Sequence, residues 1–252
     1  MRISPVAYFN TCRPIVPSFK SNELETFDEN GEVINRNVTE FFRADLKWKE
    51  FSELLAKKYQ NEDNVNITDY ACSDGSEAYT LALSLMNYAP EICEKSFPII
   101  AKDFDKHILN IAKSGRCNVY NCDFDAIDDH TNNRLSEYFT IAPAEDPEFF
   151  WEIHPKENLK NKIIFEHANI LDDVQRLPNE NNVILCRNCW EYLGKENFHY
   201  LAEQLYEKTK NNGLLVIGKH EEKFGVPEIL KKHGFRETQV KNVYEPVKRM
   251  TA

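Results

Sequence analysis

Apolar residues recur at helical spacing between positions 45 and 59, where Leu46, Phe51, Leu54, Leu55 and Tyr59 fall on one face. The pattern then changes. NITDYA (66–71) reads as a buried strand running into CSDGSEAYTLALSLMNY. There Asp74 or Ser73 can cap a helix whose face is Ala78, Leu81, Ala82 and Leu85. FPIIAKD (97–103) predicts a strand and DKHILNIAKSG (105–115) a helix closed by Gly115, with Asp105 well placed as its cap. Further along, NVILCRN (182–188) and LLVIGKH (214–220) read as strands around a helix over 195–213. A short helix over 226–234 and a final strand over 235–245 follow. Such alternation predicts an α/β, doubly wound, mainly parallel sheet covered on both faces. FFWEIH (149–154) and KIIFEHAN (162–169) flank a polar turn, which predicts an antiparallel hairpin within an inserted β subdomain at about 121–165. Residues 1–36 carry prolines and polar residues with little helical period and read as an N-terminal extension.

Composition narrows the class. The 252 residues are 42% hydrophobic and 12% aromatic, which suits a packed core. A net charge of −10 disfavours nucleic acid and anionic membranes as partners, because like charges repel. The longest uncharged stretch, Ala78 to Pro90, is too short to span a bilayer, so no membrane insertion is expected. The N-terminus lacks the apolar core and cleavage site of a signal peptide. With seven scattered cysteines, an odd number, this points to a reducing, cytoplasmic setting. The negative charge is uneven. Residues 121–180 hold fourteen acidic and five basic side chains, a net of −9. That window is either a solvated acidic surface or a docking face for a basic protein segment.

Open parallel sheets bind ligands beyond the carboxyl ends of their strands. After the first such strand comes Cys72-Ser73-Asp74-Gly75-Ser76-Glu77, a turn with one glycine that leads into a helix start. After the second comes Asp103, 28 residues beyond Gly75, where a carboxylate can accept both hydroxyls of a ribose. After the strand at 182–186 comes Arg187-Asn188-Cys189-Trp190-Glu191-Tyr192, polar groups crowded against a buried strand. Cys186-x-x-Cys189 admits a redox or metal reading, but no second pair completes a zinc site, and Cys186 closing an apolar strand reads as a small hydrophobe. No metal centre is expected. The chain has no GxxxxGK[ST] and no GxSxG, which disfavours a P-loop NTPase and a nucleophile-elbow hydrolase.

Seven short segments, in order, resemble the chemotaxis-receptor glutamate methyltransferase (CheR) family. Asn37-Val38-Thr39-Glu40-Phe41-Phe42-Arg43 is similar to that family's N-x-T-x-F-F-R, and Ser73-Asp74-Gly75-Ser76-Glu77-Ala78-Tyr79-Thr80 to its S-T-G-E-E-P-Y-S. Ala101 to Asp105 resembles A-S-D-I-D, Lys113-Ser114-Gly115 resembles R-S-G, and Asn169-Ile170-Leu171 resembles N-L-L. Cys186-Arg187-Asn188 with Tyr192 matches C-R-N-x-x-x-Y, and Gly213 to Glu221 looks like G-L-L-x-x-G-H-S-E. There are departures. Ser76 and Ala78 replace the family's glutamate and proline, Lys219 intrudes before His220, and the segment before Asn37 does not read as the family's helical docking domain.

The resemblance implies a Rossmann-like S-adenosylmethionine (SAM) methyltransferase fold, with an antiparallel last strand and a small antiparallel β insertion. It implies SAM as cofactor and S-adenosylhomocysteine as product. Carried over residue by residue, it implies that Gly75 shapes the cofactor turn, Glu77 lies at the methionine part and Asp103 binds the ribose. Asn169 and Ile170 would contact the adenine, and Asn37, Thr39 and Arg43 would close over the cofactor. Arg187, Asn188 and Tyr192 would line the transfer site, with Arg43, Arg187 and Tyr192 as the catalytic set. The implied activity is methyl transfer to a carboxylate, a protein glutamate. The alternatives are a methyltransferase for a small molecule or another protein residue, and a SAM-sensing interaction module.

Overall fold

The computed structural model describes residues 25–27 and 33–36 by their backbone, then residues 39–144 and 150–249. Within residues 1–36, one compact unit, strands β1 (Glu25–Phe27) and β2 (Val33–Arg36) pair antiparallel.

The second unit, residues 37–252, follows the alternation expected. Helix α1 (Trp48–Lys58) leads into β3 (Asn66–Tyr70), α2 (Ser76–Tyr88), the single turn α3 (Cys93–Ser96), β4 (Ile99–Asp103) and α4 (Lys106–Ser114). Strand β5 (Cys117–Tyr120), α5 (Asn121–His130), α6 (Leu135–Tyr138), β6 (Phe139–Pro143) and β7 (Phe150–Pro155) come next. Then α7 (Glu157–Lys160), β8 (Ile163–His167), α8 (Ile170–Asp173) and β9 (Asn182–Cys186) return the chain to the main sheet. Helix α9 (Phe198–Thr209), β10 (Leu214–Val216), α10 (Val226–Lys232), β11 (Phe235–Glu237) and β12 (Val243–Pro246) complete it.

The main sheet runs β11-β12-β10-β9-β3-β4-β8. Strands β8, β4, β3, β9 and β10 are parallel, and β12 lies antiparallel to β10 and β11. The order reverses between β3 and β9, which opens the crevice where such sheets take ligands. This is the doubly wound Rossmann-like arrangement. Strand side chains alternate between two cores. Val183, Leu185, Leu214 and Val216 pack with α1 and α2 on one face. Ile184, Cys186, Leu215 and Ile217 pack with α9 and α10 on the other. Helix α2 is buried all round in its first ten residues because α1 covers the side turned from the sheet.

Local signals behave as their chemistry requires. Asp105 caps α4 by accepting the His107 N–H at 2.8 Å, and Gly115 ends that helix at φ 69°. Asp74 accepts both the Ser76 N–H and its hydroxyl, so it satisfies the start of α2 from two residues ahead.

Two strand expectations are corrected. The segments 149–154 and 162–169 do not form a hairpin. β7 pairs instead with β5 and β6 in a three-stranded antiparallel sheet, order β5-β7-β6. β8 joins the main sheet parallel to β4, Ile99 opposite Ile163. The polar stretch between them is a helical turn, α7, which carries the chain from one sheet to the other instead of reversing it. The antiparallel insertion therefore spans β5 to β7, beginning at Cys117 and ending at Pro155. The expected final strand over 235–245 splits into β11 and β12 around a turn in which Asn242 takes φ 66° and its N–H bonds to Glu237.

Phe51 is fully buried in the α1 and α2 core. Phe51→Ala is expected to lower unfolding free energy by about 3–5 kcal/mol, read as a fall in urea midpoint at constant m.

Candidate active site

The site grows from the carboxyl ends of β3, β4 and β9. Beyond β3 the chain turns through Ala71, Ser73 and Gly75, all at positive φ (57°, 52° and 91°). Two of the three carry side chains, so the turn holds backbone strain of a kind common at ligand-binding loops. It is tied down by Cys72 N–H to Lys102 O and Gly75 N–H to Cys72 O. At Gly75 a Cβ would come within 2.7 Å of the Phe165 ring, so glycine is required by both conformation and space.

Asp103 ends β4 with its carboxylate fixed by backbone amides. Oδ2 accepts the Ser73 N–H and Oδ1 the Asp105 N–H, each at 2.8 Å. Burial pushes its pKa up, and these bonds pull the other way. Each oxygen retains a second acceptor position, the pair of acceptors that a vicinal diol needs.

Glu77, in the first turn of α2, is buried and accepts from Arg187 at 2.5 Å. The Arg187 side chain is 0% exposed. Its other terminal nitrogen bonds to Asp45, and its guanidinium lies 5.1 Å from the Trp48 ring centroid. Burial opposes its charge, but Glu77, Asp45 and Asp69 outweigh burial and raise its pKa. Asp45 also accepts the Lys219 N–H at 2.9 Å, and its carbonyl takes the Asn242 amide. Arg187 thus links α2 to the segment before α1, and Asp45 links that segment to the loops after β10 and β11.

The other expected residues sit as follows. Asn37 lies outside the described residues. Thr39 is half-buried. Arg43 pairs with Glu40 at 3.5 Å with its side chain 18% exposed; burial raises the pKa of both Asp74 and Glu77, and the Arg43 charge pulls against that rise. Asn188 takes φ 54°, and its buried Nδ2 has no partner among the described residues. Its side chain crosses Gly218 so closely that a Cβ there would lie 2.2 Å from Asn188 Oδ1. Tyr192 is 44% exposed on the short helical turn at Trp190–Leu193. Asn169 caps α8 by accepting the Leu171 N–H at 3.0 Å, beside buried Ile170.

Several participants carry no local signal. Asp45, Trp48 and Asp69 enter only through contacts distant in sequence. Lys102, Tyr70 and Asp173 form a cluster beneath α8, both cation and phenol reaching the Asp173 carboxylate at 2.6 Å. Glu221 was legible only as part of a motif. It is buried, accepts the Cys189 N–H at 2.9 Å, and has a second oxygen without a partner among the described residues. Cys186 and Cys189 approach to 3.2 Å between sulfurs. A separate cavity of about 300 Å³, lined by Phe97, Pro98 and Lys162, lies at the opposite ends of β4 and β8, away from this chemistry.

Taken together, a strained turn, a backbone-held carboxylate at the end of the second parallel strand and an acidic cluster define a nucleotide-type crevice for a cationic ligand. Asp45, Asp74, Glu77 and Asp103 outnumber Arg43 and Arg187. SAM, with sulfonium and ammonium against one carboxylate, has the complementary net positive charge. The unpartnered Asn188 amide adds a donor, so the residues fit that cofactor.

The chain belongs to the CheR methyltransferase family, whose SAM-binding domain matches residues 37–238. SAM is accordingly the cofactor of this domain. The chemotaxis protein methyltransferase of Salmonella typhimurium is 25% identical over 200 residues, 76% of this chain and 62% of that protein. Chemotaxis protein methyltransferase 2 of Vibrio cholerae is 25% identical over 88% of this chain and 76% of its own length. The chemotaxis protein methyltransferase of Borreliella burgdorferi is 29% identical over 75% and 66%. The chain thus spans less than two thirds of the Salmonella protein. Among solved structures, a precorrin-6y C5,15-methyltransferase from Geobacter metallireducens overlays with a TM-score of 0.40 at 11% identity, covering 81% of this chain and 88% of that one.

Burial raises the Glu221 pKa to about 7, against the backbone N–H groups and Arg187 that favour its charge. The native state therefore holds this proton more tightly than the unfolded chain. Its contribution to stability is full below about pH 4.5 and falls by about 3 kcal/mol as pH rises through 7. Glu221→Gln is expected to remove that part of the pH dependence, measured as the difference between wild-type and variant urea stability at pH 5 and pH 8.

Proposed function

We propose that this protein transfers a methyl group from SAM to a carboxylate, a glutamate side chain of a protein. A glutamate has a reference pKa near 4.3, so it is already ionised and nucleophilic at neutral pH and needs no general base. SAM supplies the electrophilic methyl group, and the sulfonium charge is lost on transfer. What the protein must add is in-line positioning in a dry site, an effect worth roughly 7–11 kcal/mol of barrier when fully developed.

The observation that carries the reading is the division of labour between the two arginines. Arg187 is enclosed by Asp45, Glu77 and Trp48, so its role is to hold Glu77 in place at the methionine end of the cofactor. Arg43, partly exposed and paired with Glu40, is the guanidinium that orients an incoming carboxylate, with the half-exposed Tyr192 as hydrogen-bonding aid. Asp103 receives the ribose hydroxyls, and Asn169 and Ile170 flank the adenine. Asn188 lines the transfer site, with Thr39 and Arg43 covering the cofactor.

The relatives are named for chemotaxis, and a protein acceptor is the corresponding substrate class here. The insertion supports this. Its sheet exposes Ile141 and Trp151 on one face, within the acidic stretch at 121–180, a surface suited to a basic segment with apolar side chains.

Calorimetry with SAM and S-adenosylhomocysteine, followed by transfer assays, tests the assignment. Asp103→Ala should weaken SAM binding by tenfold or more, whereas Arg43→Ala should keep most affinity and lose about 100-fold in turnover. Equal cofactor affinity in Asp103→Ala would overturn the ribose role. Methylation of the protein acceptor should slow markedly between low and high salt, and a salt-independent rate would remove the acidic docking face.

A further inference from the structure

Asp69 lies in the interior of a central parallel strand, β3, paired on both sides by β9 and β4. It is 0% exposed, and neither carboxyl oxygen meets a donor among the described residues. The group it faces on α2 is Glu77, itself a carboxylate. Two ionised carboxylates have no hydrogen between them. With one proton between them, the Asp69 hydroxyl donates to Glu77, and both the missing donor and the like-charge repulsion disappear.

The surroundings settle which residue keeps the proton. Glu77 is bonded to the Arg187 guanidinium, which favours its charged form. Asp69 has no such contact. Burial, then the Glu77 charge, pushes its pKa well up; Arg187 pulls the other way and Asp103 at the end of β4 adds to the rise. Cys72 in the following turn is buried and neutral. Asp45 and Arg43 act on Glu77 from the segment before α1.

We propose that Asp69 is a proton-holding positioning residue of the cofactor site: neutral in the free protein, it donates to Glu77 and releases that proton to water when the cationic end of SAM arrives. The inference rests on the placing of Glu77 at the methionine part of the cofactor. The ammonium and sulfonium charges would then do for the Asp69–Glu77 pair what the proton does in their absence. S-adenosylhomocysteine lacks the sulfonium and would displace less of the proton. The pair would so favour donor over product increasingly as pH rises.

The test is calorimetric titration of wild type, Asp69→Asn and Asp69→Ser with SAM and with S-adenosylhomocysteine. Each is run between pH 6 and 9 in two buffers of different ionisation heat, which counts protons directly. Asparagine keeps the shape and a donor to Glu77 but cannot titrate, and serine is a smaller neutral replacement should asparagine fold poorly. Wild type is expected to release a proton fraction on binding SAM and less on binding the product. Its SAM affinity should rise with pH by up to about tenfold per unit in the steepest region. The neutral variants should lose that rise, keep only the pH dependence that the ligand's amino group and Glu221 give to all three proteins, and release correspondingly fewer protons. A variant with the wild-type proton count, or a wild type that releases none, overturns the proposal while leaving the cofactor site intact. A wild type that binds neither ligand at any pH overturns the site assignment and this inference with it.

Discussion

The buried ion triad Asp45–Arg187–Glu77 is the contact on which the site depends. A guanidinium removed from water is costly, and its two carboxylates offset that cost only if they are held in place. They are. Glu77 is fixed in the first turn of α2, and Asp45 is fixed by the Lys219 amide and the Asn242 side chain. Trp48 offers an aromatic face to the cation, so the arginine meets opposite charge at its terminal nitrogens and a polarisable surface alongside. Because each partner comes from a different part of the chain, the triad converts separate loops at the strand ends into one wall. Hydrophobic residues of the same volume could fill the space, but they would not set the angle of Glu77.

The strand ends are used twice. Asp69 and Tyr70 are consecutive on β3 and turn to opposite sides of the sheet, as do Lys102 and Asp103 on β4. Asp69 and Asp103 face the turn and α2. Tyr70 and Lys102 pair across the strands and hold Asp173, which seats α8. Four residues in two adjacent pairs thereby serve the turn after β3 on one side of the sheet and α8 on the other. This explains a strand, NITDY, that is buried yet carries polar groups. The Tyr70 hydroxyl is taken up by Asp173, while Asp69 meets no donor among the described residues and lies beside Glu77.

How far this was readable from the sequence depended on the range of the interaction. The alternation of strand and helix, the Asp105 cap and the Gly115 stop are local events and were legible, as was the placement of Asp103, Arg187 and Asn188 directly after strands. The pairing of strands was not. The segments at 149–154 and 162–169 have strand composition, but composition does not say which edge a strand will join. Ile163 was better buried beside β4 than against β7. Asp45 and Asp69 were missed for a related reason. An aspartate before an amphipathic helix reads as a cap and one inside an apolar run as an anomaly, until the arginine 142 residues away is brought beside the first and Glu77 beside the second.

The separations in this wall bear on how the protein is made. Asp45 meets Lys219 across 174 positions and Asn242 across 197, so that wall of the crevice is completed only by residues far along the sequence. A chain emerging from the ribosome can pair β3 with β4 early, but Arg187 and then the loops after β10 and β11 arrive much later. Until they do, Glu77 lacks the Arg187 guanidinium that it bonds in the finished wall. Closure of the cofactor crevice therefore waits until the loops carrying Lys219 and Asn242 have been made.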